Sequence, residues 1–326
     1  MKRAHELGRG DDISHLHHVG LVVSDMEEAL TLYQRLGFVL PPPAYPVMPP
    51  RAGVPPAPFG VANTRATFRR NFLELVTVVS ETSPIPSNAS RVPIQIPDDA
   101  LPRVRAAIEE TVAVLRACLA RFQGAHILVF EAPDVDAVVG RLDASGIVHG
   151  DVQTVNLEID TEAGRSTVPV RSMEIAGDAA PEGRLAVAEP PPSDVVRARH
   201  VDHPNGAVDL VEALLCVTGA DIADVERRYE AYTGRSARQN GPTRGIGLDG
   251  AKVTIVPDSD LEGVLPGERA PALPAFVAYT VEVRDLDATR RVLRRNEFPV
   301  NALPSGDLFV PAAAVLGAAV IFRQTR

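Results

Sequence analysis

One word of sequence recurs four times along this 326-residue chain: a β-branched strand, an Asp, and an amphipathic helix closed by Gly or Asn. Its first copy is residues 17–37, HHVGLVVSDMEEALTLYQRLG. There Met26, Ala29, Leu30, Tyr33 and Leu36 fall at helical spacing, Ser24 or Asp25 can cap the helix, and Gly37 closes it. The second copy, 126–146, has its stripe at Val135, Val138, Val139 and Leu142 and ends on Gly146. The third, 211–234, is weaker, with Ile222, Val225, Tyr229 and Tyr232 on one face. The fourth, 276–296, turns Leu286, Val292 and Leu293 inward. A repeat of this length marks an array of supersecondary units.

Strand-like stretches follow each word. They are FVLPPPA, VANTRATF and NFLELVTVV after the first, then VQTVNLEI, TVPVRSMEI and RLAVAE after the second. GIGLD and AKVTIV follow the third, and FPVNAL, DLFVPA and AAVIFR follow the fourth. The expected architecture is α+β, with four βαβββ modules paired into two curved-sheet halves. The halves are expected over 14–190 and 200–326, with the boundary in 190–206. Proline lacks a backbone N–H, so 41–58, 190–192 and 264–274 read as loops. An extra helix is expected over Leu101–Phe122, with Val104, Ile108, Val112 and Leu115 on one face, packing across the outside of a sheet.

Composition narrows the function. With 33 basic and 42 acidic residues the net charge is −9, and no basic block stands out, which argues against nucleic acid as a partner. Trp is absent and aromatics are 5%, too few for base-stacking platforms. The longest apolar run, 311–322, is short of the roughly 20 residues that cross a bilayer, and the N-terminal stretch has no apolar signal core. Cys118 and Cys216 stand far apart in apolar runs and read as reduced, buried thiols. A cytoplasmic protein acting on a small molecule is expected.

The four modules resemble the vicinal oxygen chelate superfamily, which includes glyoxalase I, extradiol dioxygenases and bleomycin-resistance proteins. HHVGLVVSDMEEALTLYQRLGF is similar to its opening strand and helix. FGVANTRATFRRNFLELV and HPNGA resemble segments of its bacterial glyoxalase-like members. The resemblance implies a cup holding a divalent metal (Zn, Ni, Mn or Fe) on ligands from the first and last strands of paired modules. His18, seven residues before Asp25, and Glu74 in FLELV take two of those positions. An imidazole and a carboxylate are ordinary ligands for such ions.

In the second module the position seven before Asp134 is Ile127, with His126 one residue off. Period-two alternation points His126 to the opposite face unless a bulge intervenes. Glu189 ends the module and is the further candidate, as ligand or as general base, with His126 as the reserve ligand. Ala278, Ile321, and Leu214 or Glu212 at the matching places leave modules three and four metal-free. An alternating strand sends only one of His17 and His18 into the cup. Asn63, Arg65 and Arg69 are candidate substrate contacts, an arginine fork suiting a carboxylate. His203 and Asn205 are expected to organise a tight turn, and His200 stands beside them as a further candidate donor. The resemblance implies isomerase or lyase chemistry through an enolate-like intermediate. The alternatives are an extradiol-type dioxygenase, a metal-free small-molecule binder, and an inactive scaffold; a homodimer is compatible with any of them.

Overall fold

The computed structural model describes residues 12–79, 85–94, 96–161, 164–175, 180–190 and 201–325. His200 and most of the expected boundary between halves lie outside the described residues.

The first word folds as β1 (His15–Val22) and α1 (Met26–Arg35). Asp25 is the cap: its carboxylate accepts from the backbone N–H groups of Glu27 and Glu28, satisfying donors the helix start leaves unpaired. Gly37 leaves the helix at φ +90°, a conformation that favours glycine. The predicted stripe is buried, Tyr33 and Leu36 completely so.

β2 (Ala44–Met48), β3 (Ala57–Pro58), β4 (Val61–Thr67), β5 (Phe72–Val78) and β6 (Ser90–Pro93) follow. Two expectations are corrected here. FVLPPPA does not open a strand at Phe38; pairing begins at Ala44, after three prolines that cannot donate. The segment 41–58 is not all loop, since β2 runs parallel to β6 and antiparallel to the short β3, meeting β4 only at Ala44–Asn63. Such a marginal ladder tolerates proline.

Next come α2 (Leu101–Arg121), β7 (Gly124–Glu131), α3 (Val135–Ala144), β8 (Gln153–Thr161), β9 (Gly164–Ile175) and β10 (Arg184–Ala188). Asp134 caps α3 as Asp25 caps α1. The third module is β11 (Ala207–Val217), α4 (Ile222–Thr233), β12 (Ala237–Asn240), β13 (Thr243–Gly247) and β14 (Lys252–Pro257). β12 was not anticipated in the sequence. The fourth is β15 (Ala275–Val283), α5 (Leu286–Arg295), β16 (Asn301–Ala302), β17 (Leu308–Val310) and β18 (Ala319–Gln324).

Antiparallel pairing of the opening strands joins the modules: β1 with β7, and β11 with β15. Within each module the opening strand also pairs in parallel with the last strand. One bridge, Phe276–Ala125, connects the two curved sheets. The main core lies on their convex side. There Leu21, Leu75, Leu128 and Leu185 meet Tyr33, Leu142, Tyr229 and Leu293 from the flanking helices.

Helix α2 sits on the other side. Its Leu115 and Cys118 pack with Val22, Val76, Ile127 and Val129, residues of the concave face. The expectation that it lies across the outside of a sheet is therefore corrected. An apolar stripe requires that a helix be covered, but does not say by which surface.

His203 and Asn205 organise the turn before β11, as expected, and also join modules one and three. His203 Nδ1 accepts from Val39 N at 3.0 Å while its Nε2 bonds the Thr67 carbonyl at 3.0 Å. Asn205 donates to Leu36 O and accepts from Ala207 N. Both cysteines are buried and unbridged.

Candidate functional site

The concave face of the first two modules encloses a cavity of about 310 Å³, lined by residues of β1, β4, β5, β7, β9 and β10. The strand registers put its side chains there. Gly20 pairs with Glu74 and His18 with Phe72 across β1 and β5, so His18 and Glu74 share one face. His18 Nε2 stands 3.7 Å from Glu74 Oε2, too far for a direct hydrogen bond. Asn63 Nδ2 donates to Glu74 Oε1 at 2.7 Å.

His17 also lines the cavity, which corrects the expectation that one histidine alone faces it. The cause is a bulge. Leu16 opposes Phe130 and His18 opposes Val129, leaving His17 as the extra residue. The two imidazoles meet at 2.8 Å between their Nδ1 atoms, so one of these atoms carries hydrogen and the other accepts.

Burial sets the charge states. It holds the His18 imidazole well below its ordinary pKa, and the positive fields of His17, Arg65 and Arg184 act in the same direction. Burial raises Glu74 above the ordinary carboxylate value, although the Asn63 hydrogen bond and the nearby Arg65 and Arg184 pull it down. A neutral imidazole beside a carboxylate with raised proton affinity is a pair suited to holding or moving one proton.

The pairing of β1 with β7 relates the two modules by a pseudo-twofold. Gly20 opposes Ile127 just as Val129 opposes His18. Through β10, Ile127 pairs with Arg184 and Val129 with Ala186. The counterparts of His18, Glu74 and Phe72 are thus Ile127, Ala186 and Arg184. On the next strands, Arg65 opposite Glu74 is matched by Glu174 opposite Ala186. His126 is the counterpart of His17. It is the extra residue in a second bulge, between Ala125 and Ile127. The bulge does not bring it to the cavity, because its Nε2 bonds Phe122 O at 2.8 Å and its ring packs on Phe122.

Glu189 reaches the rim of the cavity, where its Oε1 accepts from Arg171 Nη1 at 2.8 Å and Val135 N at 3.3 Å. Its charge is taken up by an arginine and the start of α3. Arg65 lines the cavity with its guanidinium 5.3 Å from the Phe72 ring centre. Arg69 lies past the end of β4, exposed at the mouth. Asn63 touches Glu74 but does not line the cavity.

This donor set does not fit the divalent metal that the resemblance implies. Catalytic sites for such ions use three protein ligands, and the structure brings His18 and Glu74 to 3.7 Å while His17, the third candidate in the cavity, has its Nδ1 hydrogen-bonded to that of His18. The second module offers Ile127, Ala186 and a guanidinium. Among the described residues there is no group of three metal-ligating side chains. Sequence counting identified Ile127 as the matching position, but not Ala186 or Arg184, because these depend on the β7–β10 register.

In the second half, Glu212 opposes Thr280 on β15 as Ile127 opposes Gly20, so it holds the place of His18. It is bound by Lys252 Nζ and Arg323 Nη2, each at 3.0 Å, and accepts from Thr254 Oγ1 at 2.6 Å. The matching places Ala278, Thr254 and Ile321 carry no imidazole or carboxylate.

Known proteins agree with this architecture. The family model described as Glyoxalase-like domain matches residues 16–233. No curated protein sequence matches. Among solved structures, a hypothetical protein from Staphylococcus aureus superposes with a TM-score of 0.56 at 10% identity, over 96% of this chain and 100% of that one. A mutant 4-hydroxymandelate synthase from Streptomyces coelicolor gives 0.54 at 13% identity, over 96% and 93%. The Mn(II)-bound glyoxalase from Novosphingobium aromaticivorans gives 0.51 at 9% identity, over 96% and 82%. At these identities the likeness is one of fold. Among the described residues no helix is long and apolar enough to cross a membrane.

Proposed function

The chain belongs to the glyoxalase-like domain family of the vicinal oxygen chelate fold, and from that premise we propose that its N-terminal cup binds a small molecule without a resident metal. The observation that carries this reading is the replacement, in the second module, of the two ligand positions by Ile127 and Ala186. The division into halves at 14–190 and 200–326 is part of the same reading. It is supported by the pairing of β1 with β7 and of β11 with β15.

A second reading adds chemistry to the binding, favoured by the 3.7 Å approach of His18 Nε2 to Glu74 Oε2. Glu74 takes the C–H proton of an α-hydroxycarbonyl in the cup and returns it to the former carbonyl carbon, while His18 passes the hydroxyl proton from one substrate oxygen to the other. That is isomerase chemistry with no change of oxidation state. Metal-dependent lyase and extradiol dioxygenase chemistry both need donors at the place of Ile127. Glu189 does not serve as base in this scheme, since Arg171 and the start of α3 hold its carboxylate.

The test is binding of an apolar fluorescent probe, anilinonaphthalenesulfonate, to the native chain and to Ala186→Trp, which fills the cup from β10. Saturable binding that Ala186→Trp abolishes, with the circular dichroism unchanged, supports the reading. Binding indifferent to that substitution contradicts it.

A further inference from the structure

We propose that the molecule held in the N-terminal cup is a carboxylate with an apolar body, and that Arg184 is the group that binds its carboxylate. This rests on the cup being a small-molecule site. It goes further by naming the chemical class and the anchoring residue.

Arg184 stands at the start of β10, opposite Ile127, where the first module has Phe72 opposite His18. It lines the cavity together with Glu74. Its Nη2 bonds Glu174 Oε1, and among the described residues its Nε and Nη1 have no hydrogen-bond partner. Guanidinium groups form their strongest contacts as two parallel N–H donors to one carboxylate; both such edges of Arg184, Nε–Nη2 and Nη1–Nη2, share Nη2, whose second hydrogen can complete one of them with Nε or Nη1 while the first stays on Glu174. The existing partner is anchored on one side only: the Glu174 side chain is 54% exposed against 23% for Arg184, so water competes for its carboxylate.

The surrounding charges favour an anion. Arg65, Arg69, Arg70 and Arg184 line the cavity against Glu74, Glu174 and Glu189, and Glu189 is engaged by Arg171 from outside that set. Arg65 makes no ion pair within 4.0 Å among the described residues, leaving a second cation across the cup from Arg184. The remaining wall is apolar, from Phe72, Ile127, Val129, Val168, Val170 and Ala186. Such a wall takes a hydrocarbon or aromatic body, while a few convergent polar groups fix its orientation. Where the fold family's metal would gather substrate oxygens, this chain offers a guanidinium.

The experiment is isothermal titration of the full chain with naphthoate and with its neutral isostere naphthamide, in the wild type, Arg184→Gln, Glu174→Gln and Ala186→Trp. The wild type is expected to bind naphthoate at least about 10-fold more tightly than naphthamide, the step expected for a charge-assisted pair. Arg184→Gln should remove that preference and leave naphthamide binding unchanged, which also shows that the variant is folded. Glu174→Gln, by freeing the guanidinium, should tighten naphthoate alone. Equal binding of the two probes in the wild type, or naphthoate binding unaffected by Arg184→Gln, overturns the carboxylate assignment while leaving the cup as a binding site. If neither probe binds the wild type, or Ala186→Trp changes neither, the cup reading itself fails and the assignment with it.

Discussion

Ile127 leans across Gly20: a Cβ built on Gly20 would come within 2.9 Å of Ile127 Cβ and 3.0 Å of its Cδ1. The glycine on β1 and the isoleucine on β7 are therefore fitted to each other, at the place where a metal-binding cup would set its second histidine. Gly20→Ala should destabilise the protein by about 1–3 kcal/mol through overpacking. Ile127→Ala in the same chain should recover part of the loss by removing the outer carbons. Urea denaturation of the two variants measures this, and an unaffected Gly20→Ala would contradict the described register.

His203 joins elements far apart in sequence, accepting from Val39 N and bonding Thr67 O while only 2% exposed. Removing the ring strands two backbone groups in the interior. His203→Ala should cost about 2–4 kcal/mol, read as a lowered denaturation midpoint.

Asp209 gives stability a pH dependence of unusual sign for a carboxylate. Burial is the main cause that lifts it from 3.8 to about 6, against the opposing pull of Asn71, Arg70 and Arg69. One of its oxygens is buried without a hydrogen-bond partner. A folded-state value above the unfolded one means that its contribution is intact below about 4 and is lost as pH rises through about 6. Asp209→Asn should therefore stabilise the protein at pH 8 by up to about 3 kcal/mol and leave it nearly unchanged at pH 3.5. Denaturation curves at the two pH values check this.

Glu212 should act in the opposite sense. Burial would raise it, but Lys252, Thr254 and Arg323 together hold it below the ordinary glutamate range. Its contribution is present above the unfolded value and is lost as pH falls through the depressed one. Glu212→Gln should lower stability at neutral pH by about 1–3 kcal/mol and remove that part of the acid sensitivity. A variant as stable as the wild type would show that the network with Lys252 and Arg323 holds nothing together.

Much of the fold was legible because its signals are local. Asp25, Asp134 and Asp285 each cap a helix, and the stripes after them are what a helix on a sheet requires. His18 and Glu74 were legible as neighbours through the resemblance, which implies ligands on the first and last strands of a module. What stayed hidden depends on partners distant in sequence. The side of the sheet taken by α2 follows from the concave-face residues it covers, not from its own stripe. The bulge that turns His17 into the cup appears only in the β1–β7 register. Arg184 and Ala186 gain their meaning from pairing with Ile127 and Val129. In RLAVAE they read as an ordinary strand start and a small residue.

If the second module supplies no metal ligands, the native chain retains no divalent ion, and its metal content decides the matter. The native chain would be incubated with Mn, Fe, Ni and Zn, desalted, and assayed by mass spectrometry beside the double variant Ile127→His with Ala186→Glu. The native chain is expected to hold no stoichiometric metal, and the double variant about one ion per chain, since its four ligands would complete the site. One ion per native chain, lost in both His18→Ala and Glu74→Ala, would contradict it.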